Sequence, residues 1–136
     1  MTETTATEVQ VPPKPGTLSW WELQVPDPEQ AKRFYGAVLG WTFQSFGDGY
    51  DVINTSDGTM IGGLDSQTAK GESPAGRGVR VYVQVEDLEA ALDRVTANGG
   101  EIRNPRQLIS EEYGWSANFA DPSGLTIGLM TTNPAG

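Results

Sequence analysis

Apolar and polar side chains alternate along residues 19–25, SWWELQV, with the period of a β-strand. The two faces carry Trp20, Glu22 and Gln24 on one side and Trp21, Leu23 and Val25 on the other. We expect the second face to pack into a core, so Glu22 would face away from that core. The position of this carboxylate is the first question that the sequence raises.

A helix is predicted directly after this strand. Asp27 is a favourable N-cap, Pro28 suits the first helical position, and Gln30 stands where a capping box needs it. Gly40 is typical of a helix C-terminus. Apolar residues recur at helical spacing, and we assign them to one inward face: Ala31, Phe34, Tyr35, Val38 and Leu39.

Short β-type runs follow between residues 41 and 64, separated by the turn sequences GDG and SDG, and they predict an antiparallel meander. Trp41 and Phe43 are predicted core residues. The whole pattern then occurs a second time. Val25, Asp27, Ala31 and Gly40 recur 60 positions later as Val85, Asp87, Ala91 and Gly100, and Gly58, Ile61 and Gly62 recur 66 positions later as Gly124, Ile127 and Gly128.

The repeat predicts an α+β domain made of two tandem βαβββ modules. The boundaries that we predict are a flexible N-terminal tail at 1–16, a single domain at 17–132 and a C-terminal tail at 133–136; within the domain, module 1 spans 17–66, a linker 67–77 and module 2 78–132.

Three motifs in this order resemble the vicinal oxygen chelate superfamily, which includes glyoxalases, bleomycin-resistance proteins and dioxygenases. They are VPDPEQAKRFYGAVLGW, VEDLEAALDRVTANGG and FADPSGLTIGL, and together they cover residues 17–131. The resemblance implies a curved mixed sheet that encloses a cavity. In its metal-dependent members, the first and last strand of each module supply one metal ligand each.

The resemblance places these four ligand positions on Trp20, Arg80, Gly128 and either Gly62 or Gly63. None of these side chains ligates a metal, because an indole N–H only donates, a guanidinium is a permanent cation and glycine has no side chain. A calcium or magnesium site built from carboxylates alone would need several converging oxygens, which this face does not supply. We therefore expect no metal and no other cofactor.

Composition narrows the function classes further. The chain has 136 residues with 9 Lys plus Arg against 18 Asp plus Glu, a net charge of -9 that disfavours nucleic acid as a partner. Without cysteine or histidine, thiolate nucleophiles, imidazole bases and zinc sites of the usual kind are excluded. No stretch predicts a membrane span or a secretory signal, so a cytoplasmic protein is expected.

If Trp20 faces the cavity, Glu22 lines it too, and Arg80 approaches from the equivalent strand of the second module. Two interpretations stay open. The pair Glu22–Arg80 is either a structural ion pair in place of a metal, or a catalytic pair in which Glu22 is the general base and Arg80 stabilises an oxyanion.

The remaining predicted cavity residues suit a flat ligand with a few polar groups. Aromatic side chains on strands are equally common in ordinary cores, which is the competing interpretation. Residues 111–113 are predicted to form a solvated loop at the cavity mouth. The ligand-binding residues that we predict are Trp20, Gln24, Tyr50, Met60, Gly62, Tyr82, Gln84 and Trp115.

Three functions remain. The first is metal-independent binding of a small aromatic or polycyclic molecule, in the manner of bleomycin-resistance proteins. The second is a metal-independent tailoring enzyme, an isomerase, lyase or cyclase that uses Glu22 and Arg80. The third is a degenerate domain kept for contact with a protein partner. Because several relatives complete the cavity with two chains, a homodimer is expected.

Overall fold

The computed structural model describes residues 14–66 and 78–134 of the chain. The predicted linker at 67–77 lies outside the described residues, as do residues 1–13 of the predicted N-terminal tail and the last two residues of the predicted C-terminal tail. The elements are β1 (Leu18–Gln24), α1 (Pro28–Leu39), β2 (Thr42–Gly47), β3 (Tyr50–Asn54), β4 (Met60–Asp65), β5 (Gly78–Gln84), α2 (Leu88–Ala97), β6 (Glu101–Ser110), β7 (Gly114–Ala120) and β8 (Thr126–Thr131).

The eight strands form one mixed sheet in the order β2-β3-β4-β1-β5-β8-β7-β6. Within each βαβββ unit, the first and last strands pair in parallel, β1 with β4 and β5 with β8. The two units join where β1 pairs antiparallel with β5. This arrangement confirms the predicted α+β fold of two tandem βαβββ modules.

Local sequence explains both helices. The Asp27 carboxylate accepts a hydrogen bond from the backbone N–H of Gln30 at 3.1 Å, and Asp87 does the same for Ala90 at 2.9 Å. Gly40 ends α1 in the left-handed region at φ 73°, where glycine carries no steric penalty. Within the described ranges, no helix is long and apolar enough to cross a bilayer.

Each helix packs on one face of the sheet and covers its own core cluster. The cluster under α2 contains Leu88, Ala91, Leu92, Ala117 and Leu129. The cluster under α1 contains Ala31, Ile53 and Leu64, with Trp21, Leu23, Tyr35, Trp41 and Phe43 packed against it. Both clusters draw on the strand face predicted to be buried, so the opposite face remains for a site.

The predicted inward face of α1 is too wide. Ala31 is buried and Tyr35 packs against the core, but Phe34, Val38 and Leu39 are 58%, 60% and 51% exposed. Positions four apart, such as 31 and 35, lie above one another on a helix, so the sheet covers this narrow stripe only. The assignment of Phe34 to the core is therefore wrong.

Replacing Leu88 by alanine should destabilise the protein strongly. Leu88 is fully buried in the cluster under α2, so the truncation leaves a cavity. We expect a loss of about 2–5 kcal/mol in the free energy of unfolding, measured by urea denaturation. The control Leu125→Ala, at a side chain that is 59% exposed, should change it by no more than about 0.5 kcal/mol. Equal effects of the two substitutions would contradict this assignment of the core.

Candidate functional site

The sheet face opposite the helices borders a cavity of about 620 Å³. Its lining residues come from both βαβββ units and from the turn between β6 and β7. They are Ser19, Trp20, Glu22, Phe46, Tyr50, Val52, Met60, Tyr82, Gln84, Ile109, Glu112, Tyr113, Ser116, Met130, Thr131 and Thr132. This volume is within the range of small-molecule sites, and most of the lining is aromatic or apolar.

A carboxylate lies in the wall of this cavity, held by two tyrosines. Glu22 is only 3% exposed. Its Oε2 accepts a hydrogen bond from the Tyr50 hydroxyl at 2.7 Å, and its Oε1 accepts one from the Tyr82 hydroxyl at 3.0 Å. The indole Nε1 of Trp20 donates in turn to the Tyr50 oxygen at 2.8 Å. We call these four residues, Trp20, Glu22, Tyr50 and Tyr82, the Glu22 cluster.

Strand register brings the cluster together. Trp20 stands opposite Tyr82 where β1 pairs with β5, and Glu22 stands opposite Gly63 where β1 pairs with β4. A Cβ at Gly63 would collide with the Tyr50 hydroxyl. Strand β1 therefore supplies the Glu22 carboxylate, and β4 supplies, at Gly63, the space for the Tyr50 ring whose hydroxyl binds that carboxylate.

Gly128 plays the same part in the second unit. It stands opposite Tyr82 where β5 pairs with β8, and a Cβ there would collide with the Tyr82 ring. The two tyrosines thus lie over glycines at equivalent places of the two units. Two of the positions that the resemblance assigns to metal ligands instead make room for aromatic rings.

Burial controls the electrostatics of the cluster. Desolvation raises the pKa of Glu22, although the hydrogen bond from Tyr50 opposes this effect, and the charge of Asp65 raises the pKa further. The hydrogen bond from Tyr82 and the charge of Arg80 act in the opposite direction. Burial, and then the Glu22 charge, also raise the pKa of both tyrosines, so their hydroxyls stay protonated donors at neutral pH.

Two predicted site residues lie beside the cavity and do not line it. Arg80 is 3% exposed and stands opposite Glu22 in the β1–β5 register. With the amide of Asn118 turned to satisfy its neighbours, the Asn118 oxygen accepts from the Arg80 guanidinium at 3.3 Å. Gln24 is 5% exposed and is likewise absent from the lining. Both belong to the polar layer around the cluster.

Two further predictions of orientation are wrong. Trp115 packs against the core cluster under α2, and the Arg106 guanidinium lies 4.6 Å from the centre of its ring. Gly62 also faces the helix side, because a Cβ there would meet the Trp21 ring. For Gly62, the observed alternation along the strand is one residue out of step with the predicted one.

The other predicted ligand-binding residues do line the cavity: Trp20, Tyr50, Met60, Tyr82 and Gln84, together with Glu22. The sequence prediction missed much of the lining from the second unit. Ser116 and Met130 are opposite one another in the β7–β8 register, and by strand alternation they face the same side of the sheet as Gly128. Because the repeat had already identified Gly128, the sequence contained the information needed to predict both residues. Tyr113 belongs to the loop at 111–113 that was predicted at the cavity mouth. Its ring lies 6.2 Å from the ring of Phe46, which comes from the other unit and carried no such signal.

The metal that the fold family implies does not fit these residues. The four positions that the resemblance assigns carry an indole, a guanidinium and two glycines, and none of these supplies a ligand atom from a side chain. The tyrosine rings also occupy the space above Gly63 and Gly128. Across residues 14–66 and 78–134, no group of three or more His, Cys, Asp or Glu residues could hold an ion.

The raised pKa of Glu22 predicts a specific dependence of stability on pH. The folded state binds this proton more tightly than the unfolded state, in which the pKa of Glu22 is near 4.5, the ordinary value for a glutamate. The contribution of Glu22 to stability is therefore full below that value and is lost as pH rises through the folded pKa. The variant Glu22→Gln lacks this titration, so the difference in free energy of unfolding, variant minus wild type, should grow from acidic to neutral pH.

Urea denaturation at a series of pH values measures this difference. The matched control Glu89→Gln removes an exposed carboxylate on α2 and separates the effect of burial from that of net charge. A difference for Glu22→Gln that shrinks or stays constant as pH rises would contradict the assignment of a buried carboxylate with a raised pKa.

Comparison with known proteins places this geometry in a family. Residues 17–129 match the model of the Glyoxalase/Bleomycin resistance protein/Dioxygenase superfamily. The chain is 31% identical over 120 residues to a glyoxylase-like domain-containing protein of Didymella fabae, covering 85% of this chain and 94% of that protein. It is 27% identical over 122 residues to CFP32 of Mycobacterium bovis, named as a candidate glyoxylase, covering 87% of this chain and 46% of that protein.

The chain thus spans about half the length of the mycobacterial relatives it matches. Among solved structures, the Mn(II)-bound glyoxalase of Novosphingobium aromaticivorans has a TM-score of 0.62 at 15% identity, covering 87% of this chain and 39% of that one. A methylmalonyl-CoA epimerase of Streptomyces coelicolor has a TM-score of 0.60 at 17% identity, covering 88% and 99%. The chain belongs to the Glyoxalase/Bleomycin resistance protein/Dioxygenase superfamily.

Proposed function

We propose that this protein binds a small, planar aromatic molecule in the cavity of its sheet and retains it unchanged, without a metal ion. The observation that carries the proposal is the cavity of about 620 Å³ lined by aromatic and apolar side chains around one buried carboxylate. A flat ring fits between such walls, and a few polar groups fix its orientation.

The lining itself supports a planar ligand. The Phe46 ring lies edge-on to the rings of Tyr50 and Tyr113, with ring centres 6.1 Å and 6.2 Å apart, so rings from both units surround one space. Met60 and Met130 add thioether side chains, which adapt to the outline of a ligand. These walls offer stacking and dispersion contacts and few groups that would take part in a reaction.

Metal independence is part of the proposal and is supported by the chemistry of the ligand positions. Glycines and the rings above them stand where the resemblance expects two ligands. Binding should therefore be unaffected by prior dialysis against a chelator. Homodimerisation and a cytoplasmic location stay predictions from the sequence.

The planar probe 9-aminoacridine should bind saturably at one site per chain in isothermal titration, and it should be recovered unchanged. Ser116 is buried and lines the cavity, so Ser116→Phe should fill the space and weaken binding by at least about tenfold, the equivalent of 1.4 kcal/mol. The control Ser45→Phe adds the same ring at an exposed position on β2 outside the lining and should leave affinity unchanged. Absence of saturable binding, or equal weakening in both variants, would refute the proposal.

The raised pKa of Glu22 favours a second candidate function, an enzyme that moves a proton on its ligand. A carboxylate whose pKa is displaced toward neutral pH is a better general base than an ordinary one. The tyrosine hydroxyls are the donors that lie closest to an oxyanion formed near Glu22. In this candidate, Arg80 acts through its charge on Glu22, since it does not line the cavity.

Deuterium exchange tests this second candidate. In D₂O, 2-acetylnaphthalene would lose an α proton to Glu22, the protonated carboxyl would exchange that proton for a deuteron of the solvent, and the ligand would regain the deuteron, which raises its mass without any other change. If the protein is an enzyme of this kind, exchange is expected in the wild type and lost in Glu22→Gln, while Glu89→Gln retains it. Exchange at the rate of buffer alone in the wild type would reject the candidate and leave binding as the function.

A further inference from the structure

We infer that the cavity selects a planar aromatic cation that carries an N–H donor and places it on Glu22. The inference rests on the proposed function and specifies its ligand class. It follows from the charges in the lining, the hydrogen-bonding capacity of Glu22 and the aromatic walls.

The charges of the lining have one sign. Glu22 lies in the wall of the cavity and Glu112 lies on the turn between β6 and β7, and both line the space. Among the described residues, the lining contains no lysine or arginine. The whole chain has a net charge of -9, so its long-range field also attracts cations. An anion entering this cavity would meet two carboxylates with no cation in the lining to compensate.

Glu22 retains the capacity to accept more hydrogen bonds. A carboxylate has about four lone-pair sites, and the tyrosines use one on each oxygen. Because the tyrosines hold both oxygens in place, a ligand N–H meets an acceptor whose orientation is fixed before binding. Pre-organisation of this kind lowers the entropic cost of association.

A cation would also compensate the burial of this carboxylate. Glu22 is almost completely removed from water, and burial of a charge is costly without an opposite charge nearby. Arg80 stands opposite Glu22 in the β1–β5 register and its charge favours the carboxylate, whereas Asp65 places a second negative charge close to Glu22. The negative charge of Asp65 repels that of the Glu22 carboxylate, and a positive ligand on the cavity side would offset this repulsion.

The aromatic walls favour the same ligand. Trp20, Phe46 and Tyr113 present rings to the cavity, and a cation over an aromatic face is attracted by the ring quadrupole. Planar cations combine this attraction with stacking. The Streptomyces coelicolor epimerase, solved in complex with 2-nitronate-propionyl-CoA, shares the fold, but a ligand with several phosphates is poorly suited to the lining described here.

A charge series of one ring system tests the inference. Isothermal titration of the wild type would compare 9-aminoacridine, a cation with N–H donors, with acridine at a pH where it is neutral and with acridine-9-carboxylate, an anion. We expect affinity to fall in that order, with the cation at least about tenfold tighter than acridine, the size of one charge-assisted hydrogen bond. The preference should shrink as ionic strength rises.

Glu22→Gln should bring the ratio of acridine to 9-aminoacridine dissociation constants close to one, whereas the matched variant Glu89→Gln should keep the wild-type ratio. The ligand series and its salt dependence need only the wild type, so a poorly folded variant does not prevent the test. Equal affinity for cation and neutral ring, or tighter binding of the anion, would overturn the inference and leave the proposed function standing. No saturable binding of any of the three would overturn both.

Discussion

The hydrogen bonds from Tyr50 and Tyr82 to the Glu22 carboxylate are the interaction on which the cavity depends. Tyr50 belongs to the first βαβββ unit and Tyr82 to the second, so a single carboxylate from β1 connects side chains of both halves. A buried charge is tolerated only when its oxygens are hydrogen-bonded. The cost of burying Glu22 therefore holds the two tyrosines at fixed positions, and these positions shape the wall of the cavity.

Local signals and an internal repeat were sufficient to predict the fold. The caps at Asp27 and Asp87 and the turn glycines depend on neighbouring residues and predicted the elements that form there, and the repeat grouped these elements into two modules. The exposed residues of α1 show where this reasoning ends. Helical spacing identifies Phe34 and Val38 as one apolar face with Ala31, but only the packing of helix on sheet decides how much of that face is covered.

The site was predictable on strands where core residues showed which face is buried, because alternation then assigned the remaining residues to the cavity face. The face of β1 followed from the core residues beside it, and Trp20 and Glu22 were placed correctly on the cavity side. Gly62 and Trp115 were misplaced because glycine gives no hydrophobic signal, and because a tryptophan suits either face of a sheet. The bond from Tyr50 to Glu22 joins residues on strands that are not adjacent in the sheet, a relationship that no local pattern contains.

The glycines of the last strands explain how one fold can hold a different centre. A side chain at Gly63 or Gly128 would project toward the middle of the cavity, where the resemblance expects a metal ligand. Removing both side chains creates space, and the Tyr50 and Tyr82 rings fill it. A metal centre offers positive charge to its ligand, whereas the centre formed here offers a carboxylate between hydroxyl donors. The sign of the central charge is therefore the reverse of that of a metal centre while the sheet around it is kept, and this reversal is the reason for proposing a cationic ligand.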